Sequence, residues 1–308
     1  MEIIVFVLMF AAGLALMIKG ADWITEYGSR LARKLGVSEL VIGVTLVAMA
    51  TSLPELAVSV ISAISNAGQI ATGTIVGSNI ANIALILGLS ALACPLVTDR
   101  AFLRQGLLTL CFSALVSLLL LGGMVWHEGM FIIICFFAYL AYAVKTRKEG
   151  SAGTRKNAGN DRWKYILFCI AGGLVVVGGG ELLVASTVNI AQWLGVPEII
   201  IAMIVIAVGT SLPELATSVA AAIKRMRGIS LGNIIGSNVF NTAILGISSL
   251  FSAVPVTSHV VFLDLPLMLF VTALLMLFMK TGWKLSRTEG LALLAVYGVF
   301  IALQFMVG

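Results

Sequence analysis

Most of the charge in this chain falls in short gaps between apolar runs of about twenty residues, the length an α-helix needs to cross a bilayer. That alternation leaves few folds open. Apolar residues make up 60% of the 308 and charged residues only 11%, with mean hydropathy +1.10. A water-soluble domain sits nearer 45–50% apolar and about 25% charged. A soluble globule, a disordered chain and a nucleic-acid binder are thereby excluded, and an all-α membrane protein is expected. Ten spans are read near 3–20, 40–65, 70–93, 102–122, 125–144, 163–190, 197–223, 229–251, 260–279 and 289–307. The first run has no basic leader and no small-residue cleavage site, so it reads as a retained span rather than a signal peptide. The one linker is 145–162, KTRKEGSAGTRKNAGNDR, charged and too polar to bury a core.

The basic residues orient these spans. All 19 Lys and Arg fall in the first, third, fifth, seventh and ninth connections, and the even-numbered connections hold none. By the positive-inside rule the odd connections are cytoplasmic and both termini outside. The net charge of +5 is therefore a topology signal, with some contact to anionic lipid heads, rather than affinity for an acidic partner.

The chain is also written twice. Shifted by 159 residues it lies over itself without a gap, with 26 identities in 63 positions for 20–82 against 179–241. Agreement peaks where TSLPELA (51–57) meets TSLPELA (210–216) and GSNIAN (77–82) meets GSNVFN (236–241). Five spans per copy is an odd number, so the second copy must cross the membrane in the opposite sense. The expected organisation is a first five-helix repeat over 1–144, a cytoplasmic linker over 145–162, and an inverted second repeat over 163–308. Inverted repeats place a substrate site near the bilayer midplane, where broken helices from the two halves meet.

The repeated segments carry the chemistry. Pro54 and Pro213 have no N–H, so each helix is expected to kink or break and free the carbonyls of Ala50 and Gly209. Freed carbonyls at bilayer depth are tolerated only inside protein or along a polar cavity. One residue later stand Glu55 and Glu214, and an intramembrane carboxylate usually pairs or marks a transport path. Thr51 with Glu55, and Thr210 with Glu214, are four apart, which predicts hydroxyl and carboxylate on neighbouring turns of one face. Gly73-x-x-x-Gly77 and Gly232-x-x-x-Gly236 predict close helix approach. Ser78 with Asn82, and Ser237 with Asn241, share a face one turn apart. Two carboxylates with hydroxyls, amides and carbonyls, and no buried His, Cys or Lys, form an all-oxygen set suited to Na⁺ and Ca²⁺ rather than Zn²⁺ or Cu⁺. Mg²⁺ fits less well, because it demands a rigid octahedron and keeps its water.

The remaining polar residues have plainer readings. Cys94, Cys111, Cys135 and Cys169 lack CxxC spacing and read as buried core residues. His127 and His259 fall in outer connections. Asp22 and Glu181 correspond across the repeats near the ends of spans one and six, where a structural or access-path role is expected.

GVTLVAMATSLPELAVS with GSNIAN, and IAVGTSLPELATS with GSNVFN, resemble the two α-repeats of the cation/Ca²⁺ exchanger superfamily, most closely the prokaryotic Na⁺/Ca²⁺ exchangers. The resemblance covers nearly the whole chain and implies ten transmembrane helices as two inverted five-helix repeats with broken helices at the midplane. It implies a secondary antiporter of the prokaryotic cell membrane, with Na⁺ and Ca²⁺ as substrates and the family's usual three Na⁺ for one Ca²⁺. No enzyme activity, cofactor, nucleic acid or obligatory protein partner is implied; lipid is the only surrounding partner. The Ca²⁺ ligands implied are Thr51, Glu55, Thr210 and Glu214. The Na⁺ sites would use Glu55 and Glu214 with Ser52, Ser78, Ser211 and Ser237 and the carbonyls of Ala48 and Ala207. Asn82 and Asn241 would line the middle. Some relatives, including the K⁺-dependent branch, carry Asp where this chain has Asn241, which argues against K⁺ co-transport. Spans one and six are implied as the moving elements. A H⁺/Ca²⁺ antiporter using the same carboxylate pair, a cation channel and an intramembrane hydrolase remain alternatives; the last lacks a metal-binding His or an activated nucleophile.

Overall fold

The computed structural model describes residues 2–65, 67–145, 162–194 and 209–307. Eleven helices run through them. They are α1 (Glu2–Leu35), α2 (Glu39–Thr51), α3 (Leu53–Ile64), α4 (Gly68–Ala93), α5 (Arg100–Leu120), α6 (Trp126–Lys145), α7 (Arg162–Trp193), α8 (Leu212–Ile223), α9 (Arg227–Ser249), α10 (Val260–Lys280) and α11 (Arg287–Val307). Seven of them (α1, α4, α5, α6, α7, α10 and α11) are long and apolar enough to cross a membrane, and α2 with α3 form a bent pair that counts as one more. The linker expected at 145–162 falls between α6 and α7, and the first half of the expected span 197–223 falls at 197–208; residues 146–161 and 195–208 lie outside the described residues.

α1 runs well past the expected end of span one. Beyond Lys19 the sequence keeps a buried stripe, Ala21, Ile24, Leu31 and Ala32, so the helix continues to Leu35. Arg33 and Lys34 favour its C-terminal dipole, and Gly36 at φ +64° closes it. At 1.5 Å per residue α1 and the unbroken α7 are each about 50 Å long. They pack on glycine: a Cβ at Gly13 would lie 2.8 Å from the Gly179 carbonyl, and one at Gly20 would lie 2.7 Å from that of Gly172. The pairing of 13 with 179 and 20 with 172 makes the two helices antiparallel. Gly172 and Gly179 are also the repeat equivalents of Gly13 and Gly20, so the crossing has a local two-fold.

α9 is the buried centre. Its Gly, Ser and Asn content would sit poorly against lipid, and it is covered along nearly its whole length. The expected close approach holds here: Gly232 and Gly236 meet the backbone of Leu40, Gly43 and Val44 on α2, within 3 Å of where a Cβ would be. The matching pair on α4 differs, because no described atom lies within 4 Å of a Cβ at Gly73 or Gly77. Most of the repeat equivalent of α2, 198–210, lies outside the described residues.

The fold is not purely α. Leu96–Val97 (β1) pairs antiparallel with Lys284–Leu285 (β2), and an isolated bridge joins Met124 to Val254. These contacts let connections at a membrane face satisfy backbone groups that no helix holds. The strands join the third and ninth connections, both basic; the bridge joins the fourth and eighth, both without Lys or Arg.

Cysteine placement corrects the reading of four core thiols. Cys169 is buried, Cys94 and Cys135 are half-buried, and Cys111 is exposed; all four are free. In a membrane protein an apolar neighbourhood in sequence is as compatible with a lipid-facing surface as with a core. His127 is exposed, as expected. His259 instead sits partly buried, with Nε2 3.0 Å from Gln304 Oε1 and 3.5 Å from Asp264 Oδ1. Asp22 has the structural role expected of it. Lys224 Nζ lies 2.6 Å from its Oδ1 and also donates to Thr25 Oγ1, tying α1 to the end of α8. Both side chains are 33–41% exposed, so Asp22→Asn is expected to cost under about 1 kcal/mol in thermal unfolding, and less in high salt. Glu181 is exposed on α7.

Candidate cation site

The two TSLPE segments break their helices as their prolines demand. α2 ends at Thr51, Ser52 adopts φ −87°, ψ 19°, and α3 restarts at Leu53 at 49° to α2. Ser211 has nearly the same conformation, φ −87°, ψ 2°, ahead of α8. Pro54 and Pro213 each fall in the first turn of the new helix, where no N–H is required. The break therefore sets Glu55 and Glu214 in first helical turns, where the positive dipole end favours a carboxylate. Ser52 and Ser211 occupy N-cap positions without capping, and their hydroxyls point elsewhere.

They point across to the other half. Ser52 Oγ donates to Glu214 Oε1 at 2.7 Å and lies 3.0 Å from Ser237 Oγ, which is 3.4 Å from the same carboxylate oxygen. Ser211 Oγ lies 3.4 Å from Ser78 Oγ, which reaches Glu55 Oε1 at 3.4 Å. Thr51 stands beside Glu214 and Thr210 beside Glu55, and the two carboxylates lie close enough to repel each other. Hydroxyl and carboxylate thus meet between the halves.

Glu55, Glu214, Thr51, Ser52, Ser78, Ser211, Ser237, Asn82 and Asn241 are each at most 3% exposed. The structure brings Ser52, Ser237 and Thr51 to Glu214, and Ser78, Ser211 and Thr210 to Glu55; Asn82 follows four residues after Ser78, and Asn241 four residues after Ser237. Ala48 is buried too, but its carbonyl already accepts from Ser52 N at 3.1 Å and Thr51 Oγ1 at 3.2 Å. Ala207 lies outside the described residues. Sequence reasoning missed Asn233, whose Oδ1 lies 3.1 Å from Thr51 Oγ1 and whose Nδ2 donates to Ser218 Oγ at 3.0 Å. Its repeat equivalent is Thr74, so no internal match advertised it. Asn79 and Asn238 were missed too, although both lie in the repeated GSN segments and hydrogen-bond to Asn241 and Asn82.

Unpaired acceptors reveal the site's chemistry. Glu55 Oε2, Glu214 Oε2, Asn82 Oδ1 and Asn241 Oδ1 are buried without a hydrogen-bond partner, and each such orphan costs about 1–3 kcal/mol. The four form two repeat-related pairs. Among the described residues no Lys, Arg or His pairs with either carboxylate, and no three His, Cys, Asp or Glu side chains cluster as a transition-metal centre would require. Oxygen acceptors with two negative charges and no protein cation are what a hard metal cation satisfies.

A helical membrane protein with such a site falls in the class of ion transporters. Residues 5–145 and 164–306 match the family model of the sodium/calcium exchanger protein. The chain is 33% identical to the sodium/calcium exchanger MaX1 of Methanosarcina acetivorans over 97% of its own length and 98% of that protein. It is 32% identical to the inner membrane protein YrbG of Escherichia coli, covering 90% and 89% of the two chains. The solved structure of the sodium-calcium exchanger NCX_Mj, soaked with 10 mM Na⁺ and zero Ca²⁺, superposes with TM-score 0.88 at 34% identity, covering 97% of this chain and 99% of that one. The chain belongs to the sodium/calcium exchanger family and is a multi-pass membrane protein.

Proposed function

We propose that this chain is a secondary antiporter that exchanges Na⁺ for Ca²⁺ by alternating access, with Glu55 and Glu214 as the ligands both ions share. The observation that carries this reading is the set of four orphaned, repeat-related acceptors with no basic partner. Thr51 and Thr210 complete the Ca²⁺ site. Ser52, Ser78, Ser211 and Ser237 with the carbonyls of Ala48 and Ala207 serve Na⁺, and Asn82 and Asn241 line the middle. Two uncompensated carboxylates at bilayer depth are costly to carry across bare. The protein therefore changes sides only when loaded, which couples the two fluxes.

In this reading the chain spans the prokaryotic cell membrane ten times, as inverted five-helix repeats over 1–144 and 163–308 joined by a cytoplasmic linker at 145–162, with both termini outside. The antiparallel glycine crossing of α1 and α7 supports the inversion, and the basic odd connections support the orientation. Single cysteines placed at the exposed positions His127 and Ser258, in the fourth and eighth connections, of a cysteine-free variant are expected to react with an impermeant maleimide added outside intact cells. Protection of both until the cells are lysed would reverse the orientation.

Three Na⁺ against one Ca²⁺ moves one net charge. A tenfold Na⁺ gradient supplies ~1.4 kcal/mol per ion, and the moved charge adds ~2.3 kcal/mol per 100 mV. The sum, ~6–7 kcal/mol, sustains a Ca²⁺ gradient of about 10⁴- to 10⁵-fold. The test is radiolabelled Ca²⁺ uptake into proteoliposomes loaded with Na⁺ and diluted into Na⁺-free buffer, with the potential clamped at several values. Uptake that needs internal Na⁺ and rises with inside-positive potential is expected. Uptake driven by a pH gradient with no Na⁺ present would make the chain a H⁺/Ca²⁺ antiporter instead.

A further inference from the structure

The four asparagines of GSNIAN and GSNVFN form a closed brace between α4 and α9, and all four are buried. Asn238 donates from Nδ2 to the backbone carbonyl of Asn79 at 3.0 Å, and Asn79 donates from Nδ2 to the carbonyl of Asn238 at 3.5 Å. A carbonyl can only accept, so these bonds fix which end of each amide is nitrogen. The Oδ1 atoms of Asn79 and Asn238 are thereby left as acceptors. Asn241 Nδ2 reaches the first at 3.0 Å, and Asn82 Nδ2 reaches the second at 2.9 Å. Asn82 and Asn241 therefore have their NH₂ groups committed away from the site and their Oδ1 atoms buried without a partner.

We propose that Asn79 and Asn238 are positioning residues that hold the Asn82 and Asn241 amides oxygen-inward and so make cation ligands of two neutral side chains. The proposal rests on the cation-site reading above. An unbraced amide near two carboxylates would turn its NH₂ toward them, satisfying the anions internally and presenting donors to an arriving cation. The brace prevents this by tying each NH₂, through one of its hydrogens, to an acceptor on the other half, which fixes the amide plane. At position 241 this matters most, because a neutral Asn has only its orientation, and no charge, to attract an ion. The pattern is reciprocal across the repeat: Asn82 is held by Asn238 and Asn241 by Asn79, each from the other half.

A binding cycle tests the brace separately from transport. Equilibrium binding of Ca²⁺ and of Na⁺ to the purified full chain is measured by calorimetry for wild type, Asn238→Leu, Asn82→Ala and the double variant. Asn238→Leu is expected to weaken at least one ion about 10-fold, the loss typical when a partner that orients a metal ligand is removed. In the Asn82→Ala background the same substitution is expected to do nothing more, because it acts through Asn82. An equal further loss in that background would make Asn238 merely structural and overturn the proposal. So would Asn82→Ala leaving both affinities unchanged, or wild type binding neither ion. If Asn238→Leu does not fold, Asn79→Leu with Asn241→Ala gives the equivalent cycle. Wild type that binds ions and passes the cycle, yet shows no Na⁺-driven uptake, would sink the exchanger reading and leave the brace standing.

Discussion

Glu55→Gln and Glu214→Gln are each expected to lower Na⁺-driven Ca²⁺ uptake by at least about 100-fold. Removing a partner that merely orients a metal ligand already costs 10–100-fold in affinity, and here a charged ligand itself is lost. Gln keeps the shape but replaces an acceptor with an NH₂ aimed at a cation. The same variants are expected to unfold no earlier than wild type when no ion is present, because a buried, unpaired carboxylate is costly and its amide is not. Stabilisation by added Ca²⁺, which in wild type grows with ligand concentration above the dissociation constant, is expected to disappear. Thermal unfolding with and without Ca²⁺ reads both effects. A variant that keeps the Ca²⁺-induced shift would show that the substituted carboxylate is not a ligand.

Gly236→Val is expected to prevent assembly. Even the first added carbon would lie 2.5 Å from Val44 Cα and 2.6 Å from its carbonyl oxygen, so backbone rather than a movable side chain must yield. Overpacking of this kind costs about 1–3 kcal/mol for a methylene or two, and more where the neighbour cannot shift. α9 is also pinned ten residues further on, where a Cβ at Gly246 would lie 2.8 Å from Gly129 O. Gly298 in α11 is the control: no described atom lies within 4 Å of its added Cβ. Gly298→Ala is expected to be neutral or to stabilise by about 0.5–1 kcal/mol, the helix-propensity difference. Monodispersity in detergent and the midpoint of thermal unfolding distinguish the two.

What the sequence made legible was whatever it states twice. Glu55 and Glu214, the serine pairs Ser52/Ser211 and Ser78/Ser237, and Asn82/Asn241 recur at one offset, and the structure gathers them. The break at TSLPE was readable because proline removes a donor wherever it stands. Which partner each group meets was not readable, because that depends on how the halves cross. Periodicity pairs Thr51 with Glu55; only the folded chain shows it beside Glu214 as well. Asn233 faces Thr51 where the first copy has Thr74, so only the folded chain reveals it. The length of α1 was hidden for another reason. Charges on Lys19 and Arg30 look like the end of a span, yet a long helix can carry them on its wet faces while Ile24 and Leu31 stay buried.

Sharing of one acidic pair by two kinds of ion is most directly tested by competition at equilibrium. Radiolabelled Ca²⁺ bound to the purified protein is titrated with Na⁺ at constant ionic strength, with choline as the balancing cation. Complete displacement along a curve steeper than one-to-one, as expected if several Na⁺ replace one Ca²⁺ at Glu55 and Glu214, is the predicted result. Ca²⁺ that stays bound at saturating Na⁺ would mean separate sites and would contradict the account.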